Sequence, residues 1–348
     1  MNTLSDIQNA IALYDENDMN VLAGAATIVR ERLNGNKVYY NRNFHLEPSN
    51  VCIHRCKFCS YRRGSIFEEG AWSMELPGIR EYCLSKLTPD ITEIHIVGSV
   101  DPSRNLDYYY NLIETVRKSL PDTVAIKAFS AVEIDDMAVT SGKSIEEILR
   151  TFKALGVSAL PGGGAEIFDE EIRRIICPDK CSSERWLDIH RTAHKLGLRT
   201  NCTMLFGHIE SRAQRINHMQ RLKELQDETG GFDAFIPLLF KPANNQMYFI
   251  REAEITEILK TFAIARIFLD NIPHLKAYWP MLGKEHSQLA LLYGADDIDG
   301  TINDSTKIYS MAGADEKPVL TVQEIEKMAS DCGYIATERD SLYNEIKK

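Results

Sequence analysis

Near the start of the chain three cysteines stand close together, in Asn50-Val51-Cys52-Ile53-His54-Arg55-Cys56-Lys57-Phe58-Cys59, separated by three residues and then by two. Thiolates are soft ligands suited to zinc or to iron–sulfur clusters, and a loop this short wraps three of them around one inorganic core. A structural zinc site needs a fourth ligand to close its tetrahedron. His54, inside the loop, is poorly placed to supply it, and no second cysteine pair follows at zinc-finger spacing. Three ligands on a four-iron cluster instead leave one iron open, and an open iron is where a bound molecule is activated. The alternative is a zinc site or a set of buried thiols, and with it a non-catalytic zinc-stabilised or electron-transfer module. The other five cysteines are scattered at 83, 177, 181, 202 and 332, and the pair at 177 and 181 reads as structural. His190 and His194 are four apart on a helix, but Arg191 stands where a zincin needs Glu, so they read as packing residues.

Such a loop needs a rigid frame. The first 35 residues read as a helical cap: Leu22, Ala25, Val29 and Leu33 share one face and Gly35 supplies a stop. After it, short β-like runs alternate with helical ones. Strand candidates lie at 44–48, 91–97, 124–129, 157–160, 198–204, 234–240 and 274–279, with an eighth at 287–293. Ser144 with Glu147 and Thr321 with Glu324 form capping boxes. Ser183 caps a helix ending at Gly197, and another helix stops at Gly230 and Gly231. Strict alternation argues for parallel pairing and an α/β fold, a (β/α) barrel of TIM type, complete or nearly complete. The expected division is a cap over 1–35, the barrel over 36–320 and a C-terminal helical extension over 321–348, packed on the barrel. Chemistry in such barrels sits at the C-terminal ends of the strands, and the cysteines follow the first strand.

Fifty acidic against forty basic residues give a net charge of −10, which disfavours a nucleic-acid backbone or an anionic membrane as partner. The N-terminus carries acids where a signal peptide needs a basic region and an apolar run, and no stretch reaches membrane-spanning length. A cytoplasmic location is expected, and in a reducing compartment eight cysteines point to metal binding, catalysis or burial. The natural partner is a small molecule.

The CxxxCxxC spacing, with aromatic Phe58 before the last cysteine, resembles the signature of the radical S-adenosylmethionine superfamily. The resemblance implies a [4Fe–4S] cluster on Cys52, Cys56 and Cys59, with S-adenosylmethionine chelated by the open iron as co-substrate. One electron from the cluster, supplied by a flavodoxin or ferredoxin-type donor, would break the sulfur–C5′ bond to give methionine and a 5′-deoxyadenosyl radical. The protein's part is positioning and water exclusion. Longer strings resemble the aminofutalosine synthase family of the futalosine route to menaquinone: Asn43 to Pro48, Leu160 to Phe168, Ile176 to Lys180, Thr203 to Glu210, Leu225 to Phe232 and Ala277 to Gly283. Trp186 to His194 and Asp299-Gly300-Thr301-Ile302 carry the likeness further. Several of these strings are shared with cyclic dehypoxanthinyl futalosine synthases and deazaflavin-forming relatives. The implied reaction adds the adenosyl radical to the enol ether of 3-[(1-carboxyvinyl)oxy]benzoate, giving aminofutalosine, methionine and bicarbonate.

The resemblance also directs attention to residues after each strand. The family usually reads Gly-Gly and then His-Pro after the second strand; here the chain reads Gly98-Ser99-Val100-Asp101-Pro102. Gly98 and Ser99 are expected at the methionyl group of the cofactor, Ser99 through its N–H and hydroxyl. Asp101 puts an anion in place of a cation or proton donor, which repels a substrate carboxylate if it faces one. Gly162-Gly163-Gly164 follows a strand and precedes a helical run from Ala165, so its N–H groups are expected to bind an anion or admit the cofactor; a tight structural turn is the alternative. Glu133 and Asn201 are candidates for ribose hydroxyls. A dicarboxylate substrate in an apolar barrel needs cations, and Lys127, Arg62, His208 and Lys276 are the candidates, with His208 and Lys127 preferred.

Overall fold

The computed structural model describes residues 4–301, 307–313 and 319–346. Its strands are β1 (Lys37–Asn41), β2 (Asn43–Leu46), β3 (Glu93–Ile96), β4 (Ala125–Ala128), β5 (Val157–Leu160), β6 (Arg199–Phe206), β7 (Phe232–Leu239), β8 (His274–Leu275), β9 (Asp297–Gly300) and β10 (Ile335–Glu338). β2 to β8 pair in chain order, all parallel, in one seven-stranded sheet. Helices fill the crossovers, as parallel pairing demands. The sheet is curled enough that side chains from both edge strands, His45 on β2 and Lys276 just after β8, line the same cavity.

Side chains alternate along the strands with a period of two. One set faces outward to the helices: Phe44, Leu46, Ile94, Ile96, Ile126, Cys202, Met204 and Phe206 are all buried in the core. Each large apolar side chain removed from water this way contributes about 1.5–3 kcal/mol. The other set faces the curled interior and is largely polar: His45, Glu93, His95, Lys127, Asn201 and Thr203. The helices between the strands start on the caps their sequences offer. Ser144 with Glu147 and Thr321 with Glu324 close full capping boxes, and Gly230, at φ 62°, ends the helix Arg212–Thr229. The helix Ser183–Lys195 starts one residue earlier than expected, capped by Ser182 and not by Ser183.

The strand pattern differs from the sequence expectation in two features. The segment 287–293 is not a strand; most of it belongs to the helix Lys284–Leu291. Its run of leucines suits either structure, and Ser287, Ala290 and Leu291, at helical spacing, are the residues that bury. The strand after β8 is β9, which lies with β1 and β10 in a separate parallel sheet of order β10-β1-β9. A single bridge, Lys276 to Asp297, links it to β8. The barrel is therefore an open, curled seven-stranded sheet flanked by a three-stranded one, not a closed eight-stranded cylinder.

The N-terminal segment is helical, over Leu4–Ala12 and Met19–Asn34, and packs on the outer helices Arg212–Thr229 and Ile255–Phe268. Its buried face is Leu22, Ala26 and Arg30, one step round from the expected stripe, and none of its described residues lines the cavity. Arg30 turns the face because its guanidinium donates to the carbonyls of Gly35, Lys37 and Ala295, tying the helix end to the starts of β1 and β9.

The small sheet is locked by a buried ion pair. Arg339, fully buried just after β10, donates from Nε to Asp297 Oδ2 of β9 at 2.7 Å. An Arg339→Met variant leaves Asp297 without this partner inside the protein and is expected to lose about 3–5 kcal/mol of stability, read as a lower midpoint in urea unfolding. A loss under about 1 kcal/mol would show that Lys276, 3.9 Å from Asp297, already balances it.

Candidate active site

The cysteine loop leaves β2 and is pinned by backbone hydrogen bonds from four other segments. Cys52 N–H donates to Arg63 O at 2.8 Å, Ile53 N–H to Val100 O at 3.0 Å and Lys57 N–H to Ile176 O at 2.7 Å, while Gln246 N–H donates to Lys57 O at 2.9 Å. Asp179 accepts from the Arg55 N–H at 2.8 Å and pairs with its guanidinium. The loop is therefore held in shape by the ends of β3 and by the segments after β5 and β7. Cys52, Cys56 and Cys59 all line one cavity at the C-terminal ends of the strands. Burial pushes the Cys52 and Cys56 thiols up, the latter strongly. Among the described residues no group of His, Cys, Asp or Glu is gathered tightly enough to hold a single metal ion. Three thiolates around a shared space suit the wider four-iron core, and that donor set fits a [4Fe–4S] cluster.

Phe58, Gly98, Ser99, Glu133, Gly162, Gly163 and Asn201, all expected around the cofactor, line the same cavity, as do Lys127, Arg62 and Lys276. Their individual contacts revise several expectations. The Ser99 hydroxyl is directed to the carbonyls of Ser49 (2.9 Å) and Val51 (2.7 Å), so it braces the cysteine loop and only its N–H is left for a ligand. Glu133 closes a capping box with Ser130 and accepts the Gly98 N–H at 3.2 Å; burial raises its pKa to about 7 despite those hydrogen bonds. The glycine run does not open a helix. It forms a turn, and the next helix starts only at Glu170. A Cβ on Gly162 would lie 2.7 Å from Asn201 O and Cys202 Cα, so glycine is required there by the close approach of β6.

Two expected residues do not reach the cavity. Asp101 is buried beside it, where Oδ2 accepts from the Ser49 and Ser73 hydroxyls at 2.7 and 2.8 Å and Oδ1 accepts from Ser103 N–H and Oγ at 2.9 and 2.7 Å. Burial opposes its charge, but these hydrogen bonds outweigh it and hold the carboxyl below the usual range. It is an anchor for the cysteine loop and faces no substrate carboxylate. His208 is turned aside because Gly207, at φ 86°, bends the chain after β6 and Glu210 takes the Gly207 and His208 N–H groups. Its Nε2 meets Leu205 O at 3.1 Å and its Nδ1 lies 3.1 Å from Glu210, while burial lowers its pKa. It offers the cavity no cation.

Nor is Lys127 a free cation: its ammonium sits 2.8 Å from Glu93, with both side chains buried. Lys276 pairs likewise with Asp299, and Lys180 with Glu166. Lys127 and Lys276, with His95, bring Glu93 down to about 2 although burial opposes it. His45 and His95 face each other with ring centroids 4.8 Å apart, and burial together with their mutual repulsion takes His95 down to about 3, so it is neutral at working pH. Among the described residues, Arg62 is the cation lining the cavity with no carboxylate in ion-pair range; its Nε donates to Cys52 O at 3.0 Å. Glu93, His45, His95, Glu166, Lys180 and Asp299 were not among the site residues expected from sequence. The signal that finds most of them is the alternation of polar with apolar residues in strands, as in Asn43-Phe44-His45-Leu46 and Glu93-Ile94-His95-Ile96.

Replacing Cys56 by Ala is expected to abolish the four-iron absorbance and the EPR signal of the reduced cluster after anaerobic reconstitution; retention of both would remove Cys56 from the ligand set. Glu133 makes a pH-dependent contribution with a defined sign. Its folded pKa of about 7 lies above its unfolded value, so its contribution is present at low pH and is lost as pH rises through about 7. The stability of Glu133→Gln relative to the parent should therefore rise between pH 4.5 and 7, measured by urea unfolding of the cluster-free protein. A pH-independent difference would mean that the carboxyl titrates normally.

Comparison with known proteins follows the same lines. Residues 46–222 match the model of the Radical SAM superfamily, and residues 229–348 match that of the CofH/MqnC C-terminal region. The chain is 40% identical to the aminodeoxyfutalosine synthase of Thermus thermophilus, covering 98% of this chain and 92% of that protein. It is 35% identical to the cyclic dehypoxanthine futalosine synthase of Streptomyces coelicolor, over 97% of this chain and 85% of the other. Among solved structures, methylornithine synthase PylB superposes with a TM-score of 0.75 at 18% identity, covering 96% of this chain and 94% of that one, and shares the fold. The cysteine loop, the curled parallel sheet that carries it and the full-length sequence matches together place this chain in the radical SAM superfamily, whose members use a [4Fe–4S] cluster and S-adenosylmethionine.

Proposed function

We propose that this chain is an aminofutalosine synthase, joining the adenosyl group of S-adenosylmethionine to the enol ether of 3-[(1-carboxyvinyl)oxy]benzoate, with methionine and bicarbonate as the other products. The observation that carries this reading is the 40% identity to an aminodeoxyfutalosine synthase across nearly the whole chain. The cavity supports it. With a cluster on Cys52, Cys56 and Cys59, S-adenosylmethionine supplies the adenosyl group as a carbon-centred radical.

The remaining work falls to residues of this chain. The glycine turn and the Ser99 N–H border the space beside the cysteines, where a methionyl group and ribose would lie. Asn201 and Glu133 offer hydrogen-bonding atoms to ribose hydroxyls there. Leu205, Ile236, Leu238, Tyr278 and Met281 present apolar surface for an aromatic ring and exclude water from the reacting carbon. Arg62 is the residue to meet a substrate carboxylate, since the lysines of the interior are already neutralised. The neutral His45 and His95 face the same space and can hold a hydrogen bond without adding charge.

Anaerobic incubation of the reconstituted protein with S-adenosylmethionine, a reductant and the enol ether is expected to give methionine and an adenosyl adduct in equal amounts. The second reading, a cyclase like the dehypoxanthine futalosine synthase relative, predicts free 5′-deoxyadenosine when the protein meets a dehypoxanthinyl substrate. Mass spectrometry of the adenosyl group separates the two. Cleavage of S-adenosylmethionine without adduct would reject the synthase reading.

A further inference from the structure

We propose that the outer face beside the cysteine loop, built on Tyr248, Phe249, Lys57 and Arg63, is the docking surface for an acidic one-electron carrier protein. The inference rests on the iron–sulfur reading of the three cysteines and adds the partner that reduces the cluster.

Cys56 and Cys59 line the main cavity and also a second, open depression, shared with Arg62, Asn244, Asn245, Gln246 and Tyr248. Two of the three cluster ligands are thus approached from outside the substrate chamber. Electron transfer slows steeply with distance, so a carrier seated on this depression is well placed to reach the cluster without entering the chamber.

The rim of the depression carries an aromatic pair. Tyr248 is 75% exposed and Phe249 71%, with ring centroids 5.9 Å apart. Aromatic side chains are enriched at protein interaction surfaces. The backbone that leads into them is anchored. Met247, next in the chain, is buried, its N–H donates to Asn245 Oδ1 at 2.8 Å, and Gln246 N–H is bonded to Lys57 O in the cysteine loop. Ser60 Oγ adds a bond to Ala243 O at 2.7 Å. A surface rigid before contact loses less entropy on binding.

Charge selects the partner. Lys57 is exposed in the cysteine loop, and Arg63 spends its guanidinium on backbone carbonyls. Among the described residues neither has a carboxylate in ion-pair range, whereas nearby Arg55, Lys241 and Arg251 do. Uncompensated cations on one face of a chain of net charge −10 steer an acidic partner to that face. A second copy of this chain is a poorer occupant, because a two-fold contact would set the same cations against one another. On docking, one electron passes from the reduced carrier to the oxidised cluster; the carrier is oxidised by one electron, and no bond or proton on the protein changes.

The test uses the reconstituted holoenzyme and follows bleaching of cluster absorbance in anaerobic stopped flow, with an acidic flavodoxin in its hydroquinone form or with dithionite as reductant. The flavodoxin rate should fall as salt rises, and should fall at least about tenfold in Lys57→Glu and in a Tyr248→Ser, Phe249→Ser double variant. Dithionite reduction should stay within about twofold in both, because a small ion needs no docking face. Unchanged flavodoxin rates in both variants, or equal losses with both reductants, overturn the proposal. So does a wild-type dimer that the aromatic variant converts to monomer with its flavodoxin rate intact, since the face is then a self-contact. If the wild-type protein forms no four-iron cluster, the cluster reading itself has failed, and this shows in the absorbance before any carrier is added.

Discussion

Burying an ion costs several kcal/mol unless a counter-charge lies within hydrogen-bonding distance. The inside of this curled sheet obeys that constraint residue by residue. Lys127 sits on Glu93, Lys276 on Asp299, Lys180 on Glu166 and, at the edge of the small sheet, Arg339 on Asp297. Meeting the constraint strains the backbone in two places. Glu166 and Asp299 are non-glycine residues at positive φ, 50° and 70°, and both line the cavity as partners of its lysines. Positive φ in a side chain-bearing residue costs of order 1–3 kcal/mol and persists only where the surroundings hold it.

The pairing decides what is left to act on a ligand. The interior lysines are spent on carboxylates, and the histidines that face the cavity are held neutral by burial. What remains are the three cysteine thiols, glycine N–H groups, a few polar side chains and Arg62. The Ser99 and Asp101 side chains are spent on the frame: both bond Ser49, at the entry of the cysteine loop. These bonds tie the segment after β3 to the cysteine loop and keep the Asp101 charge out of the chamber.

The lining of the cavity divides along the chain. Residues within the Radical SAM match supply the cysteines, the glycine turn, Glu133 and Asn201. Residues within the CofH/MqnC region supply Ile236, Leu238, Lys276, Tyr278, Met281, Asp299 and Tyr309. The C-terminal portion also forms β9 and β10, whose sheet stands beside the open edge of the barrel at β8. Ile302, the last residue of one string that resembles the futalosine enzymes, lies outside the described residues.

Local chemistry was readable from the order of residues alone. The cysteine spacing, the capping boxes at Ser144 and Thr321, the stop at Gly230 and the positions of seven parallel strands are all written in neighbours a few residues apart, where geometry follows directly from the chain. Residues 287–293 failed that reading because a short leucine run fits both periods. Partnership was not readable. Lys127 meets Glu93 from a neighbouring strand, Asp101 finds Ser49 and Ser73 across two loops, and His208 is turned away by a glycine bend and by Glu210. Each is a contact between side chains that the sequence separates or whose direction it leaves open. Whether a charge in this protein is free or spent depends on such contacts, and only the folded arrangement of the strands decided it.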